Sequence, residues 1–424
     1  MYAGNRSTES LGVSESFPPT DRAWQSRLEA LDPKRYAATR NHLLGAVSGL
    51  SPYFTHGFLS SGEAVDKIRE RTGLTPQDKL FAEFAWRLFF HHVWAHQGDA
   101  IFEDLRAGID NVRYSTVLPS DIREGRTGLA VIDQAVSTLY STGYLHNHAR
   151  MWLASYVIHL RHIHWRAGAD WLYSHLLDGD LASNHLSWQW VAGTFSVKPY
   201  LFNAENVSKY APAAWHCSAT PLDTSYEALE AMARGHQESD RRAFDRLAQQ
   251  ATQDMPALEE PALFASPPAA SLSNLHCPQL HNLVETLKAF SSIELVHPWG
   301  LRTNSLAPGV GGERVYRLGV VHLPYWARWP WSERRWNFVL TRMGNICDAL
   351  FIGDARDLLQ LLPAKARYYT ANDLGARETL NALSELKFGL LKPPRLVEEP
   401  SGFCQSFSKY FRNCSGGYPK QEIT

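Results

Sequence analysis

The sequence has few cysteines, almost no net charge and no long apolar run. Its five cysteines form no CxxC pair, which argues against an iron–sulfur cluster and predicts free thiols in a reducing cytoplasm. A net charge of −1 excludes a uniformly basic nucleic-acid binder, so a nucleic-acid site has to be a local patch. No apolar stretch approaches the roughly 20 residues that cross a bilayer. We therefore expect a cytoplasmic protein that does not enter a membrane.

Metal-ligand spacing is also missing, although the chain contains 18 histidines. They cluster at 91–96 and 159–164, but no HExxH or comparable pattern occurs. Surface or core-edge histidines are the simpler interpretation, so we predict no metal site. Tryptophan, by contrast, is abundant, with 14 residues, which indicates a ring-rich interior or groove.

The hydrophobic pattern changes along the chain. Apolar residues recur at intervals of three and four through 22–215 and predict helices. After about residue 287, short strand-like stretches alternate with helical ones, which predicts a small parallel α/β, Rossmann-like domain. We therefore predict a flexible N-terminal tail (1–21), a mainly α-helical domain (22–255), a Pro/Ala/Ser-rich linker (256–286), an α/β domain (287–390) and an irregular C-terminal tail (391–424).

The most informative segment is Asp178–Trp190, with the sequence DGDLASNHLSWQW. It holds two aspartates, one asparagine and two tryptophans without clean helical or strand periodicity. Carboxylates and amides fix a polar ligand, and paired indoles stack on flat rings or pass electrons. This combination is typical of a ligand site.

Three other segments allow both a structural and a ligand-binding interpretation. Val47–Ser60 combines small residues and hydroxyls before a helix, which can cradle a phosphate or simply cap the helix. The glutamate, tryptophan and arginine of Glu83–Arg87 lie on one side of a helix. They can line a pocket, or they can form a surface salt bridge next to a tryptophan of the core. Thr142–Met151 places an asparagine, an arginine and a methionine on one helical face, which suits a pocket.

Together these segments resemble the flavin-binding catalytic domain of the DNA photolyase/cryptochrome family, from about Tyr36 to Phe202. TGYLHNHARM followed by DGDLASNHLSWQW makes the resemblance specific. It implies non-covalent FAD in a helical domain and light-driven electron transfer to a pyrimidine dimer flipped out of DNA. Members normally begin with an α/β antenna domain, so this chain resembles the short photolyase-like branch that lacks it.

The resemblance implies which residues hold FAD. Asn184 would face the flavin N5, where many photoreceptor cryptochromes carry Asp or Cys, and the asparagine favours a photolyase. Arg150 and Asp178 would pair beside the flavin ring. The residues implied to bind FAD are Tyr36, Ser48, Gly49, Leu50, Ser51, Arg87, Asn147, Arg150, Asp178, Asp180 and Asn184.

The resemblance also implies residues that act on the lesion. Glu83 would hydrogen-bond the dimer, and two indoles would wall its pocket with Met151 at the edge. The residues implied to be catalytic are Glu83, Trp86, Asn147, Met151, Asn184 and Trp190.

Electron transfer and DNA binding are implied less completely. Trp188 and Trp165 match the inner two members of the photoreduction chain, but the third falls near Val112, with Tyr114 as the nearest ring. The residues implied to contact DNA are Arg40, His148 and Lys198. Because His148 replaces a usual arginine, we expect weaker duplex binding and a smaller salt dependence.

The sequence therefore predicts a monomeric, FAD-dependent photolyase for cyclobutane pyrimidine dimers in single- or double-stranded DNA. Two alternatives remain open: a cryptochrome-like light sensor without repair, and a photolyase for the six-four photoproduct, which would need a histidine such as His148 or His185. The α/β domain is either a degenerate antenna-like domain or a generic α/β unit, and its chromophore is unknown.

Overall fold

The computed structural model describes residues 17–414, except 111, 237, 274 and 310–312. Its N-terminal part is helical, as predicted. Short 3₁₀ turns at Gly98–Phe102 and Ala213–Trp215 and a π-helical turn at Tyr156–Leu160 join some of the helices. The helices are α1 (Asp21–Ala30), α2 (Pro33–Thr39), α3 (Ser51–Thr55), α4 (Ser61–Thr72), α5 (Lys79–Gln97), α6 (Ser120–Arg123), α7 (Ala130–Thr142), α8 (Asn147–Ser155), α9 (Trp165–His175), α10 (Leu181–Ala192), α11 (Ala204–Tyr210), α12 (Tyr226–Ala233) and α13 (Glu238–Asp254).

The C-terminal part contains the predicted parallel α/β unit. Its elements are β1 (Leu263–Phe264), α14 (Ala269–Leu272), α15 (Leu280–Leu287), β2 (Ser292–Val296), β3 (Tyr316–His322), α16 (Leu323–Arg328), β4 (Trp331–Ser332), α17 (Glu333–Ile346), β5 (Ala349–Gly353), α18 (Ala355–Leu359), β6 (Arg367–Ala371), a 3₁₀ turn (Leu374–Ala376), α19 (Arg377–Ala382), β7 (Phe388–Leu391) and α20 (Phe407–Asn413). Five strands form a parallel sheet in the order β5-β3-β2-β6-β7, and β1 pairs antiparallel with β4. Among the described residues, none of the helices has both the length and the apolar character that a bilayer crossing requires.

The carboxyl edge of the sheet packs against the helical part. Connections leave β2 and β6 in opposite directions, and open α/β sheets bind ligands in the crevice at such a point. Here Trp299 enters this region, because a Cβ on Gly375 would meet its indole at 2.7 Å. The same loop bonds to α3, where the His56 carbonyl accepts the Leu301 N–H at 2.9 Å. Trp299 and the residues that follow it therefore occupy part of this edge of the sheet.

Buried tryptophans extend this contact. Trp326, Trp331 and Trp336 are fully buried, with ring centroids about 5 Å apart. Arg335, also fully buried, donates to the Tyr173 carbonyl at 3.0 Å and to the Gly179 carbonyl. The α/β part thus supports the loop that precedes α10.

Three predicted irregular segments are more ordered than the sequence indicated. Residues 1–16 of the predicted tail lie outside the described residues, but Phe17 is buried beside Tyr144 and α1 begins at Asp21. The predicted linker 256–286 carries β1, α14 and α15, and its Glu260 binds Arg123 at 2.6 Å. The predicted C-terminal tail contains α20, which packs into the core because its apolar residues face α5.

Buried neutral histidines make the fold acid-sensitive. Burial lowers the pKa of both His146 and His159 to about 4. The unfolded chain binds these protons near pH 6.5, so the free energy of unfolding should fall as pH drops from about 6.5 to about 4, by on the order of 3 kcal/mol per residue. Urea midpoints at several pH values test this. In His159→Gln, the free energy of unfolding should depend less on pH than in the wild type. The same pH dependence in the variant and the wild type would contradict the lowered pKa of His159.

Candidate functional site

A cavity of about 530 Å³ opens between α5, α8 and α10. This volume is in the range of small-molecule and cofactor sites. Most residues that the sequence singled out line it, although they come from five separate segments of the chain. The predicted residues that line the cavity are Arg40, Ser51, Glu83, Trp86, Arg87, Asn147, Arg150, Met151, Asp178, Asp180, Asn184, Trp188 and Trp190.

Asp178 is anchored by neighbours from two helices. Arg150 Nη2 donates to both carboxylate oxygens, at 3.0 and 2.8 Å, and Ser51 Oγ donates to Oδ2 at 2.6 Å. Arg150 is itself oriented because its Nε donates to the Leu145 carbonyl at 2.7 Å. Thr55 Oγ1 donates to the Asp178 carbonyl at 3.2 Å. The predicted Arg150–Asp178 pair therefore exists as a fixed feature of the cavity wall.

Asp180 combines a helix cap with an ion pair. Its Oδ1 accepts the Ser183 N–H at 2.7 Å and so caps α10. Its Oδ2 lies 3.3 Å from Arg87 Nη2 and 2.7 Å from His91 Nε2. Burial opposes ionisation, but Arg87, His91 and the Ser183 bond outweigh it and hold the pKa of Asp180 well below its usual value. This carboxylate stays charged at neutral pH.

Asn184 and Trp188 occupy the next turns of α10. Asn184 Nδ2 donates to the Ala169 carbonyl at 2.8 Å, which leaves Oδ1 to accept a bond from a ligand. Trp188 packs on α9, since a Cβ on Gly168 would meet its ring at 2.3 Å. Trp165 lies one turn earlier on α9 and donates from Nε1 to Asp104 at 2.6 Å. It does not line the cavity, and its ring centroid lies 6.2 Å from that of His185.

Glu83 lies between two cations at the cavity mouth. Arg40 Nη1 donates to Glu83 Oε1 at 2.9 Å, and Lys79 Nζ is 3.6 Å from the same oxygen. Glu83 Oε2 thereby remains as the acceptor for a ligand. Arg40, predicted to contact DNA phosphate, instead pairs with Glu83 in this structure.

Two indoles flank this end of the cavity. Trp190 is 37% exposed, with its ring centroid 5.9 Å from that of Tyr200, so a face remains for stacking. Trp86 packs against Phe90, with ring centroids 5.6 Å apart. Met151 Sδ accepts a bond from Asn147 Nδ2 at 3.4 Å, which joins the two residues at the rim.

Four of the residues predicted to bind FAD lie beyond the lining. Tyr36, Ser48, Gly49 and Leu50 do not line the cavity, and the Leu50 side chain is fully buried. Gly49 has a positive φ of 57°, and a Cβ there would meet Arg27 Nη1 at 2.5 Å. A guanidinium that sequence reasoning missed thus lies against this loop, which suits an anionic group.

Two of the predicted DNA contacts also lie outside the cavity. His148 packs against Trp152 and Tyr210. Burial, together with Arg40 and His42, lowers its pKa to about 4, so it carries no charge at neutral pH. Lys198 is exposed in the loop that follows α10. Of the three predicted contacts, His148 therefore adds no positive charge for a phosphate.

Sequence reasoning missed several residues that complete the site. Lys79 precedes Glu83 by four positions, and His91 follows Arg87 by four, so helical spacing alone could have placed both on the cavity side of α5. Thr55 accepts a bond from Arg87 Nη1 at 3.2 Å, a contact that no local pattern reveals. Within the described residues, no group of three or more His, Cys, Asp or Glu could hold a metal ion.

Comparison with known proteins agrees with this geometry. Residues 80–213 match a family model described as the FAD binding domain of DNA photolyase. A deoxyribodipyrimidine photo-lyase of Streptomyces griseus is 39% identical over 149 residues, 35% of this chain and 32% of that protein. A cryptochrome DASH of Oryza sativa subsp. japonica is 32% identical over 170 residues, 38% of this chain and 29% of that protein. A class III photolyase structure from Agrobacterium tumefaciens is 21% identical, with a TM-score of 0.44 over 55% of this chain and 56% of that one.

The matched segment spans about a third of the length of these curated relatives. It contains α5 and α8–α10, which carry most of the cavity lining. The lining fits FAD, because Ser183 Oγ is buried there without a partner and a polar cofactor would satisfy it. Asp180 and Arg150 add charged side chains to the same lining. The chain therefore contains a region, residues 80–213, that matches the FAD binding domain of DNA photolyase.

Proposed function

We propose that the protein uses FAD and light to repair cyclobutane pyrimidine dimers in DNA. The observation that carries the proposal is one cavity in which Glu83, Trp86 and Trp190 face the same space as Asp178 and Asn184. A carboxylate acceptor between two indoles suits a flat, hydrogen-bonding lesion. The relatives named deoxyribodipyrimidine photo-lyase support the same activity.

FAD would be held by Asp178, Asp180, Arg150 and Asn184, with the Ser48–Ser51 loop beside Arg27 for its phosphates. When bound and reduced, it supplies light absorption and the transfer of one electron to the dimer and back. Asn184 Oδ1 would accept a ring N–H, which favours the reduced state of the ring over the oxidised one.

Glu83 would orient the lesion. Its Oε2 can accept the imide N–H of a thymine while Arg40 and Lys79 hold Oε1. The same two cations offset the negative charge that the dimer gains, in a site prepared before the reaction. Trp86 and Trp190 would stack on the bases and exclude water, with roughly 1–3 kcal/mol per stacked base.

The lining favours a cyclobutane dimer over a six-four photoproduct. None of the lining residues that the structure describes is a histidine. His185, one of the two candidates, is fully buried and bonds to Asp170 and to the Leu181 carbonyl. The other candidate, His148, packs against Trp152 and Tyr210.

Electrons that reduce the cofactor would travel through aromatic side chains. Trp188 lines the cavity, Trp165 follows on α9, and the His164 ring lies 5.5 Å beyond it. Tyr114 is a further 6.3 Å away, edge-on to His164. Tyr114 would take the outer position of this series, where the resemblance leaves the third tryptophan without a match.

A light sensor without repair is the second candidate function, and the relative named cryptochrome DASH favours it. Repair of a thymine-dimer oligonucleotide under blue light by the reduced protein separates the two. We expect repair, and the assay should include single- and double-stranded DNA, because His148 adds no charge for duplex phosphates. A light-driven redox change of the flavin with no repair of either DNA form would contradict the repair activity and support the light-sensor function.

A further inference from the structure

The C-terminal helix α20 lies against α5, outside the matched FAD-binding domain. Phe407, its first residue, stacks face to face on the indole of Trp86. The ring centroids are 3.9 Å apart and the planes differ by 10°. Among the aromatic pairs of the described residues, this one has the shortest centroid distance.

The stack covers the side of Trp86 that faces away from the cavity. Trp86 lines the cavity, whereas Phe407 does not line it and is only 4% exposed. An indole with one face covered offers its other face and its edge to a ligand. Phe407 thus backs one wall of the site from a part of the chain that follows the α/β sheet.

The segment Pro394–Cys414, which we name the strap, is fastened to α5 through His92. This fully buried imidazole bonds to Glu399 through Nδ1 and accepts the Cys404 N–H at its Nε2, at 2.9 Å. Phe403 stacks on the same ring, with centroids 5.8 Å apart. Because both ring nitrogens of His92 are used by the strap, the strap has a defined register on α5.

The consequence for Trp86 is conformational. A tryptophan at a cavity wall loses side-chain freedom when it stacks on a ligand, and that loss weakens binding unless the ring is already ordered. The Phe407 ring, stacked parallel to the indole of Trp86, restricts the side-chain rotation of Trp86 already in the ligand-free protein. The fixed register of the strap keeps Phe407 at this place.

We propose that Phe407 is a positioning residue for substrate: it holds Trp86 in the orientation that stacks on a flipped-out pyrimidine dimer. This inference rests on the proposed function. It predicts a defect in binding of dimer-containing DNA and an intact light-driven step once the dimer is bound, because Phe407 does not line the cavity.

The test compares Phe407→Leu, which keeps apolar volume without a flat face, with Phe407→Trp, which restores one. Val397→Ala is the matched control, because Val397 is a buried apolar residue of the strap that belongs neither to the Phe407–Trp86 stack nor to the His92 contacts. Phe407→Leu should weaken binding of a dimer oligonucleotide about three- to tenfold, with unchanged FAD content and single-turnover rate under light. Phe407→Trp should recover most of the affinity, and Val397→Ala should bind the oligonucleotide as the wild type does.

A second readout does not depend on DNA. In protein labelled with 5-fluorotryptophan, the Trp86 resonance, assigned with Trp86→Phe, should be sharp in the wild type and broadened or shifted in Phe407→Leu. Wild-type affinity together with an unchanged Trp86 resonance in Phe407→Leu would overturn the inference. If the wild type binds no dimer DNA, the proposed function fails, whereas a Trp86 resonance that responds to Phe407 still supports the positioning role.

Discussion

Asp178→Ala is expected to give a folded protein that retains little FAD. The substitution leaves Arg150 without its carboxylate partner and removes the acceptor of the Ser51 hydroxyl. A hydrogen bond to a charged group contributes roughly 1.5–3 kcal/mol, so its loss at the cofactor corresponds to about ten- to a hundredfold in cofactor affinity. The ratio of flavin to protein absorbance after gel filtration measures the loss.

The control for this variant is Asp133→Asn. Asp133 is also a partly buried carboxylate of the helical part, bonded to Thr127 and to the Gly128 N–H, and it does not line the cavity. This variant should lose some stability and keep its flavin. Wild-type flavin content in Asp178→Ala would show that the Arg150–Asp178 pair does not hold the cofactor.

Glu83→Gln should slow dimer repair by about ten- to a hundredfold while FAD content stays unchanged. A hydrogen bond to a charged group contributes roughly 1.5–3 kcal/mol, and the amide also leaves Arg40 and Lys79 without a counter-charge. Single-turnover repair under blue light, with flavin absorbance recorded on the same sample, measures both quantities.

Glu103→Gln provides the comparison, because this exposed glutamate lies just beyond α5, outside the cavity. It should repair at the wild-type rate. Equal repair rates for Glu83→Gln and the wild type, on single- and double-stranded DNA, would show that Glu83 takes no part in the reaction.

Local spacing predicted the parts of the site that a single helix presents. The positions of Glu83, Trp86 and Arg87 follow from the 3.6-residue period of α5, and the cap at Asp180 follows from a carboxylate before an apolar helix. The division into a helical part and a parallel α/β part was also readable from periodicity, and the structure confirms it.

Contacts between distant segments were not readable in this way. The apolar residues of α20 have helical spacing, but a seven-residue helix is marginal on its own and forms here by packing on α5. The Pro/Ala/Ser-rich composition of 256–286 indicates only which backbone conformations the segment prefers. It does not predict a contact with a distant residue, such as the Glu260–Arg123 pair. His148 has the sequence position of a DNA contact, yet only its burial shows that it is neutral.

The contact between Arg335 and the Gly179 carbonyl has a consequence for biosynthesis. The two residues are 156 positions apart. At about 5–20 residues per second, roughly 8–30 s separate their emergence from the ribosome. During that interval the nascent helical part presents to solvent the surface that Trp331 and Arg335 later cover. The Asp178–Asp180 loop therefore gains its contact with Arg335 only after most of the chain has been translated, and we expect FAD to bind after that contact has formed.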